Sequence, residues 1–322
     1  MVKPTVISLF AGCGGSSLGY KYAGFKELLA IEWDDNAVKT FKLNFPNVPI
    51  WQKDIKEITG QEIINSLGIK KGELDLLDGS PPCQGFSTAG KRIVSDGRND
   101  LVNENIRLIE ELEPKVFVIE NVSGMIKGKM KGLFIQYMKK MKSLNYQVKC
   151  KLMNAKYYNV PQSRQRVIFI GVRKDLGIEP NYPEGNKKLI TVREAFGNYK
   201  GTFEAPLTDC SKKYWHLLKY GESASKYHPK GSLFGMIKLN PNKPSPTLLK
   251  SCGNPVCHYK QPRFLDSIEL KRISTFPDCF KFIGKIGKIR DRIGNSVPPL
   301  FMKAIAEHIR INILEKAVML NG

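Results

Sequence analysis

Cys83 stands behind Pro81 and Pro82 and ahead of Gly85, Ser87, Gly90 and Gly97. That is the composition of a loop, whereas buried cysteines usually sit among apolar neighbours in a helix or strand. A thiol in a polar, N–H-rich loop becomes a nucleophile when nearby positive charge or backbone dipoles draw it toward the thiolate. The two prolines fix φ ahead of it and withhold two N–H donors, which constrains its approach. The glycine-hinged stretch that follows has the makings of a lid.

A second constellation lies upstream. "FAGCGG" (Phe10 to Gly15) follows a strand-like run and opens a helical one, where glycines let the backbone approach a ligand and a helix N-terminus offers free N–H groups. Glu32 falls 20 residues after Gly12, at the end of the next strand, and can accept hydrogen bonds from ribose hydroxyls. Trp33 offers a flat face for an adenine, and Asp54 is expected to end a third strand with a carboxylate for the adenine amino group. A nicotinamide dinucleotide fits less well, because the third glycine of its fingerprint would fall at Ser17. The combination favours S-adenosylmethionine.

The elements that must position these groups alternate in type. Strand-like runs at Thr5–Phe10, Glu27–Glu32, Glu73–Gly79, Lys115–Asn121 and Arg166–Val172 are separated by helical patterns to Ala23, from Asp34 to Leu43, at Asn103–Leu112 and at Leu133–Leu144. This is the pattern of a doubly wound α/β sheet, whose ligands bind beyond the carboxyl ends of the strands. Gly12, Glu32, Asp78 and Glu120 then share one edge. From about Asp175 to Pro262 the alternation stops in favour of Pro, Gly, Asn and Lys, and residues 172–262 carry a net charge of +8. Beyond it, Asp266–Thr275 reads as a helix. From Pro298 a long amphipathic helix places Phe301, Ile305, Ile309 and Ile313 in four-residue steps, a stripe that needs the N-terminal sheet to cover.

The net charge is +21 over 322 residues, which suits a polyanionic partner. Seven cysteines without a CxxC pair argue for a reducing, cytoplasmic setting rather than a disulfide framework. Cys252, Cys257 and His258 match no zinc spacing, so no metal is expected. No run is long enough to span a membrane.

Taken in order, "SLFAGCGGSSLG", "DGSPPCQGFS", "ENV", "QSRQRV", "TFPDCF" and "IGNSVPP" resemble the motifs of the C5-cytosine DNA methyltransferases, and they cover nearly the whole chain. The resemblance implies a Rossmann-like S-adenosylmethionine-dependent methyltransferase sheet with a smaller, irregular target-recognition domain. Its expected divisions are 1–185, catalytic and cofactor-binding; 186–285, target recognition; and 286–322, returning to the first.

By this resemblance Cys83 is the nucleophile that adds to C6 of a flipped cytosine. Glu120 holds or protonates N3, Asn121 buttresses Glu120, Arg166 meets the base near O2, and Arg164 positions the cysteine or its loop. Phe10, Ala11, Gly12, Gly14, Gly15, Glu32, Trp33, Asp54, Ile55, Asp78 and Pro82 would line the S-adenosylmethionine site, completed by Asn295, Ser296 and Val297. Gln84 and Ser87 would touch DNA. The helix before "TFPD" lacks the family's arginine ahead of Glu269, which leaves Arg272 as the expected structural cation.

The implied partner is double-stranded DNA, with a restriction endonuclease acting on the same sequence without a stable complex, and the enzyme is expected to be a monomer. The alternatives are a tRNA cytosine methyltransferase of the same family and a catalytically silent DNA-binding regulator. The full-size segment between "QSRQRV" and "TFPD" favours DNA.

Overall fold

A computed structural model describes residues 2–82, 100–126, 131–227, 229, 235–250 and 255–321. Cys83, Gln84 and Ser87 lie outside the described residues. The chain forms two units, the first made of Met1–Met153, Gln165–Glu184 and Met302–Gly322, the second of Asn154–Arg164 and Gly185–Phe301. The boundary at 184/185 lies beside the expected 185/186. Residues 286–301, expected to return to the first unit, group with the second, as do 154–164.

In the first unit the chain runs β1 (Thr5–Leu9), α1 (Gly15–Tyr22), β2 (Lys26–Ile31), α2 (Asp35–Asn44), β3 (Ile50–Trp51), α3 (Gly60–Leu67) and β4 (Leu76–Gly79). It continues through α4 (Asp100–Leu112), β5 (Val116–Val122), α5 (Lys131–Ser143) and β6 (Tyr146–Asn154). After the short β7 (Gln162–Ser163) of the second unit comes β8 (Gln165–Arg173). One seven-stranded sheet results, in the order β3-β2-β1-β4-β5-β8-β6. Its first five strands are parallel, and β8 runs antiparallel to β5. Strands covered on both faces need continuous apolar runs rather than alternation. Val6, Ile7, Leu9, Val116, Phe117, Val118 and Ile119 supply them, all buried.

Helix starts follow their caps. Asp34 Oδ1 accepts from Ala37 N at 2.9 Å to open α2, and Thr59 does the same for α3 through Glu62 N. Asp54 departs from expectation. The third strand ends at Trp51, and Asp54 is an exposed cap of a short 3₁₀ turn, accepting from Lys56 N at 3.0 Å. Aspartate competes for local backbone N–H groups, and that preference ends the strand early. Neither β6 nor α3 was expected, although Tyr146, Val148, Cys150 and Leu152 of β6 alternate with polar residues.

The second unit holds, besides β7, the elements α6 (Val192–Phe196), α7 (Asp209–Trp215), β9 (Ile237–Lys238), β10 (Ser245–Pro246), β11 (Val256–Cys257), α8 (Ser267–Ile273) and α9 (Ile286–Asn295). Its short strands pair as β10 with β7 and β11 with β9. The organising contact is ionic. Arg263, fully buried, makes two 2.7 Å bonds to the carboxylate of Glu269, whose own first turn is closed by a capping box with Asp266. Arg263 is therefore a buried structural cation here, and Lys271 of α8 is buried too. Arg272 instead faces outward, to Asp278 at 2.6 Å and to the carbonyl of Phe196.

The chain ends in α10 (Pro299–Ile309), a π-helical turn at Arg310–Leu314 and α11 (Glu315–Asn321). Phe301, Ile305, Ile309 and Ile313 are all fully buried, as their four-residue spacing requires.

Candidate active site

Between β1 and α1 the backbone is bent by necessity. Phe10, Gly12 and Gly14 have φ of 56°, 57° and 92°, the left-handed region that glycine enters freely and phenylalanine does not. A Cβ on Gly14 would lie 2.3 Å from a ring carbon of Phe45, so the turn also requires a residue without a side chain. Glu32, immediately after β2, ties this turn down. Its Oε2 accepts from Gly12 N at 2.8 Å, and Oε1 accepts from Trp33 N at 3.0 Å and Asp34 N at 2.9 Å. Burial pushes its pKa up, against the pull of those three N–H groups. A carboxylate has about four acceptor sites, so capacity for one more donor remains. Trp33, beside it, is 72% exposed and presents its indole to solvent.

The other residues assigned to this end divide. Ala11 and Gly15 are in the turn and the start of α1, and Ala11 N donates to Ile31 O at 3.0 Å. Ile55 is buried and Pro82 exposed. Asp78 does not open onto the edge: it is buried in β4 and accepts a 3.0 Å hydrogen bond from Tyr20 Oη of α1. Asn295 is the last residue of α9 in the second unit and Ser296 and Val297 follow it; Ser296 Oγ donates to Arg292 O at 2.6 Å and Val297 is buried.

Glu120 and Arg166 occupy β5 and β8, whose antiparallel register sets Glu120 opposite Ile168 and Val122 opposite Arg166. Their side chains are about nine-tenths covered, and Arg166 Nε stands 2.6 Å from Glu120 Oε1. That approach is a charge contact without hydrogen-bond alignment, since Oε1 has no partner of good geometry. Arg166 Nη1 donates to Gln165 O, leaving other guanidinium N–H groups for a ligand.

Three more side-chain atoms near these strand ends are buried without a hydrogen-bond partner among the described residues: Ser80 Oγ, Asn105 Nδ2 and Asn121 Nδ2. The register pairs Gly79 with Ile119, which brings Ser80 alongside Glu120. Asn105, on α4, lies against Gly79. Each unsatisfied buried polar group costs about 1–3 kcal/mol, so a group of four is a signature of a site that waits for a ligand.

Arg164 lies two residues before Arg166 in the chain. It belongs to the second unit, is 3% exposed, and donates from Nη1 to the carbonyls of Leu248 (3.2 Å) and Gly294 (3.0 Å). Gln162 supports the same place by accepting from Leu248 N and donating to Ser274 Oγ. Two site residues escaped the sequence reading, Asn105 and Tyr20. For Asn105 a signal existed, because an amide interrupts the apolar stripe Val102, Ile106, Ile109 of α4. Tyr20 gave none, since an aromatic residue in a helix is ordinarily core.

The parallel-dominated sheet, a glycine turn tied to an acidic residue on the next strand, and polar groups at the ends of β4 and β5 define a Rossmann-like methyltransferase. The chain matches the C-5 cytosine-specific DNA methylase family over residues 4–310, and it belongs to that family. It is a DNA cytosine-5-methyltransferase. It is 34% identical to the type II methyltransferase M1.HphI of Haemophilus parahaemolyticus, covering 95% of this chain and 86% of that one. It is 31% identical to the type II methyltransferase M.XorII of Xanthomonas oryzae, covering 96% and 85%. Among solved structures, a DNA modification methyltransferase encoded within a prophage (E. coli) superposes with a TM-score of 0.82 at 26% identity, covering 97% of this chain and all of that one. Among the described residues no helix is long and apolar enough to cross a membrane.

Proposed function

We propose that this enzyme transfers the methyl group of S-adenosylmethionine to C5 of a cytosine flipped out of duplex DNA, through a transient bond between Cys83 and C6. The observation that carries the reading is the buried Glu120–Arg166 pair on β5 and β8 beside three buried polar atoms without a hydrogen-bond partner among the described residues.

The residues present fit the cofactor. Gly12 opens onto free space, Glu32 has acceptor capacity for a ribose hydroxyl, and Trp33 offers an open face to a purine. Asn295, Ser296 and Val297 would complete its site. Bound S-adenosylmethionine supplies an electrophilic methyl on a sulfonium centre.

The protein's part is to make C5 reactive. The thiolate of Cys83 forms a bond to C6, and the C5–C6 π pair moves onto C5. Glu120 holds a proton at N3, offsetting negative charge that develops in the ring. Arg166, fixed by Glu120, directs its remaining N–H groups at O2. Once C5 has taken the methyl, its proton leaves to water, the C5–C6 double bond reforms and the S–C6 bond breaks. Stacked bases cover the C6 face, so the cytosine must leave the helix, at a cost of a few kcal/mol that phosphate contacts offset. A net charge of +21 suits those contacts.

The relatives are type II methyltransferases, and by that likeness the enzyme marks one short duplex sequence, acts as a monomer in the cytoplasm and shares its target with an endonuclease. The test is incorporation of labelled methyl groups into duplex DNA and into tRNA, with trapping on 5-fluorocytosine DNA. Transfer to DNA with a covalent complex at Cys83 is expected. Transfer to tRNA alone would overturn the reading.

A further inference from the structure

The side of α1 that faces the sheet is polar where hydrocarbon would be ordinary. Tyr20 is fully buried and Asp78 nearly so, and their 3.0 Å hydrogen bond joins α1 to β4 across 58 residues of sequence. Ser16, also on α1, hydrogen-bonds the same carboxyl. Two strands over, Ser17 Oγ donates to Glu27 Oε1 of β2 at 2.8 Å, and on the strand between, Ser8 of β1 stands opposite Asp78 in register. Burial pushes Asp78 up to about 8 and Glu27 up to about 7.

A buried polar layer of this kind is weak evidence for stability, because well-packed apolar side chains do as well or better. What it does enforce is one relative placement of the elements it joins. Here those elements matter: α1 begins at Gly15, directly after the cofactor turn, and β4 ends at Gly79, four residues before Cys83 in the chain. An apolar contact would let α1 slide along β4, whereas a hydrogen bond between two fixed atoms does not.

We propose that Asp78, held by Tyr20 and Ser16, is a positioning residue of the methyl transfer, locking the helix that carries the cofactor turn to the strand that delivers the nucleophile. The inference rests on the reading of Cys83 as nucleophile and of the glycine turn as the cofactor site.

The test is a double-mutant cycle with Tyr20→Phe, Asp78→Asn and both together, in the full-length enzyme on duplex DNA. Each single change is expected to lower kcat about tenfold, the equivalent of about 1.4 kcal/mol, while KM for S-adenosylmethionine moves less than about threefold. The double variant is expected to be no worse than the worse single one, as for two ends of one contact. Effects that multiply, or variants that lose melting temperature at unchanged kcat, would overturn the proposal.

If Asp78→Asn does not fold, Tyr20→Phe carries the test alone by amide hydrogen exchange. Faster exchange is expected in both segments 12–19 and 76–82, and acceleration confined to one of them counts against the lock. This arm needs no methyl transfer. Wild-type enzyme that fails to methylate DNA would therefore defeat the functional reading without deciding the lock.

Discussion

Asn105 of α4 rests its side-chain amide directly on Gly79, so that a Cβ at that glycine would come within 1.9 Å of Nδ2. Both residues are buried at the end of β4. Gly79→Ala should therefore destabilise the enzyme by about 1–3 kcal/mol, the range for overpacking a filled interior. Chemical denaturation measures this. Adding Asn105→Ala to the same chain should recover most of the loss, and no recovery would show that the clash lies elsewhere.

Glu120 stands 2.6 Å from Arg166 and about nine-tenths covered. Glu120→Gln keeps the shape and removes the acid. Single-turnover methyl transfer should fall by about 10²–10⁴, the usual contribution of a positioned proton donor, while duplex DNA is still bound in a mobility-shift assay. Retained turnover would remove Glu120 from the chemistry. Cys83→Ser should abolish transfer outright and leave binding intact.

Trp33 is 72% exposed beside a carboxylate tied to the glycine turn. Trp33→Ala should weaken S-adenosylhomocysteine binding by tenfold or more in calorimetry, since stacking a base on an aromatic face is worth about 1–3 kcal/mol. DNA affinity should move little. Equal losses of both would mean that the indole supports the fold instead.

Arg263 and Glu269 form a bidentate pair with no exposure on either side. Arg263→Met leaves a buried carboxylate alone and should cost about 3–5 kcal/mol, read from the unfolding transition of the second unit. A loss under about 1 kcal/mol would mean that water reaches the site.

Two buried groups give stability opposite dependences on pH. His258 is pushed down to about 4 by burial and by Arg263, and its Nδ1 already accepts from Lys260 N and Gln261 N. The unfolded chain then binds a proton that the folded one refuses, so stability should fall as pH drops from 6.5 toward 4. Asp78, raised to about 8, keeps a proton that the unfolded chain releases. Its contribution is full below the ordinary carboxylate range and is lost as pH rises through about 8. Asp78→Asn should remove that decline from a melting-temperature profile between about pH 4 and about pH 8. An unaltered slope across that range would place the titration on another group.

Much of this was legible in the sequence because the signals are local. Strands covered on both faces must be apolar, so Thr5–Leu9 and Val116–Ile119 announced themselves, and Asp34 declared a cap by standing before a helical period. Glu120 was legible from the "ENV" motif, which ends a strand. Asp54 misled because capping and strand-ending aspartates look alike in one dimension. Arg263 was passed over for Arg272 because burial is a property of folded neighbours, and the two arginines stand close together, one before α8 and one in its last turn. Tyr20 and Asp78 are 58 residues apart, and nothing in either neighbourhood points to the other.

The first unit is assembled from segments on both sides of the second. Ile305, Ile309 and Ile313, all wholly enclosed, are translated only after residues 185–301. On the ribosome the first unit therefore stays incomplete until the intervening unit has emerged. A nascent chain halted at residue 300, lacking these three isoleucines, should be a ready client for chaperones.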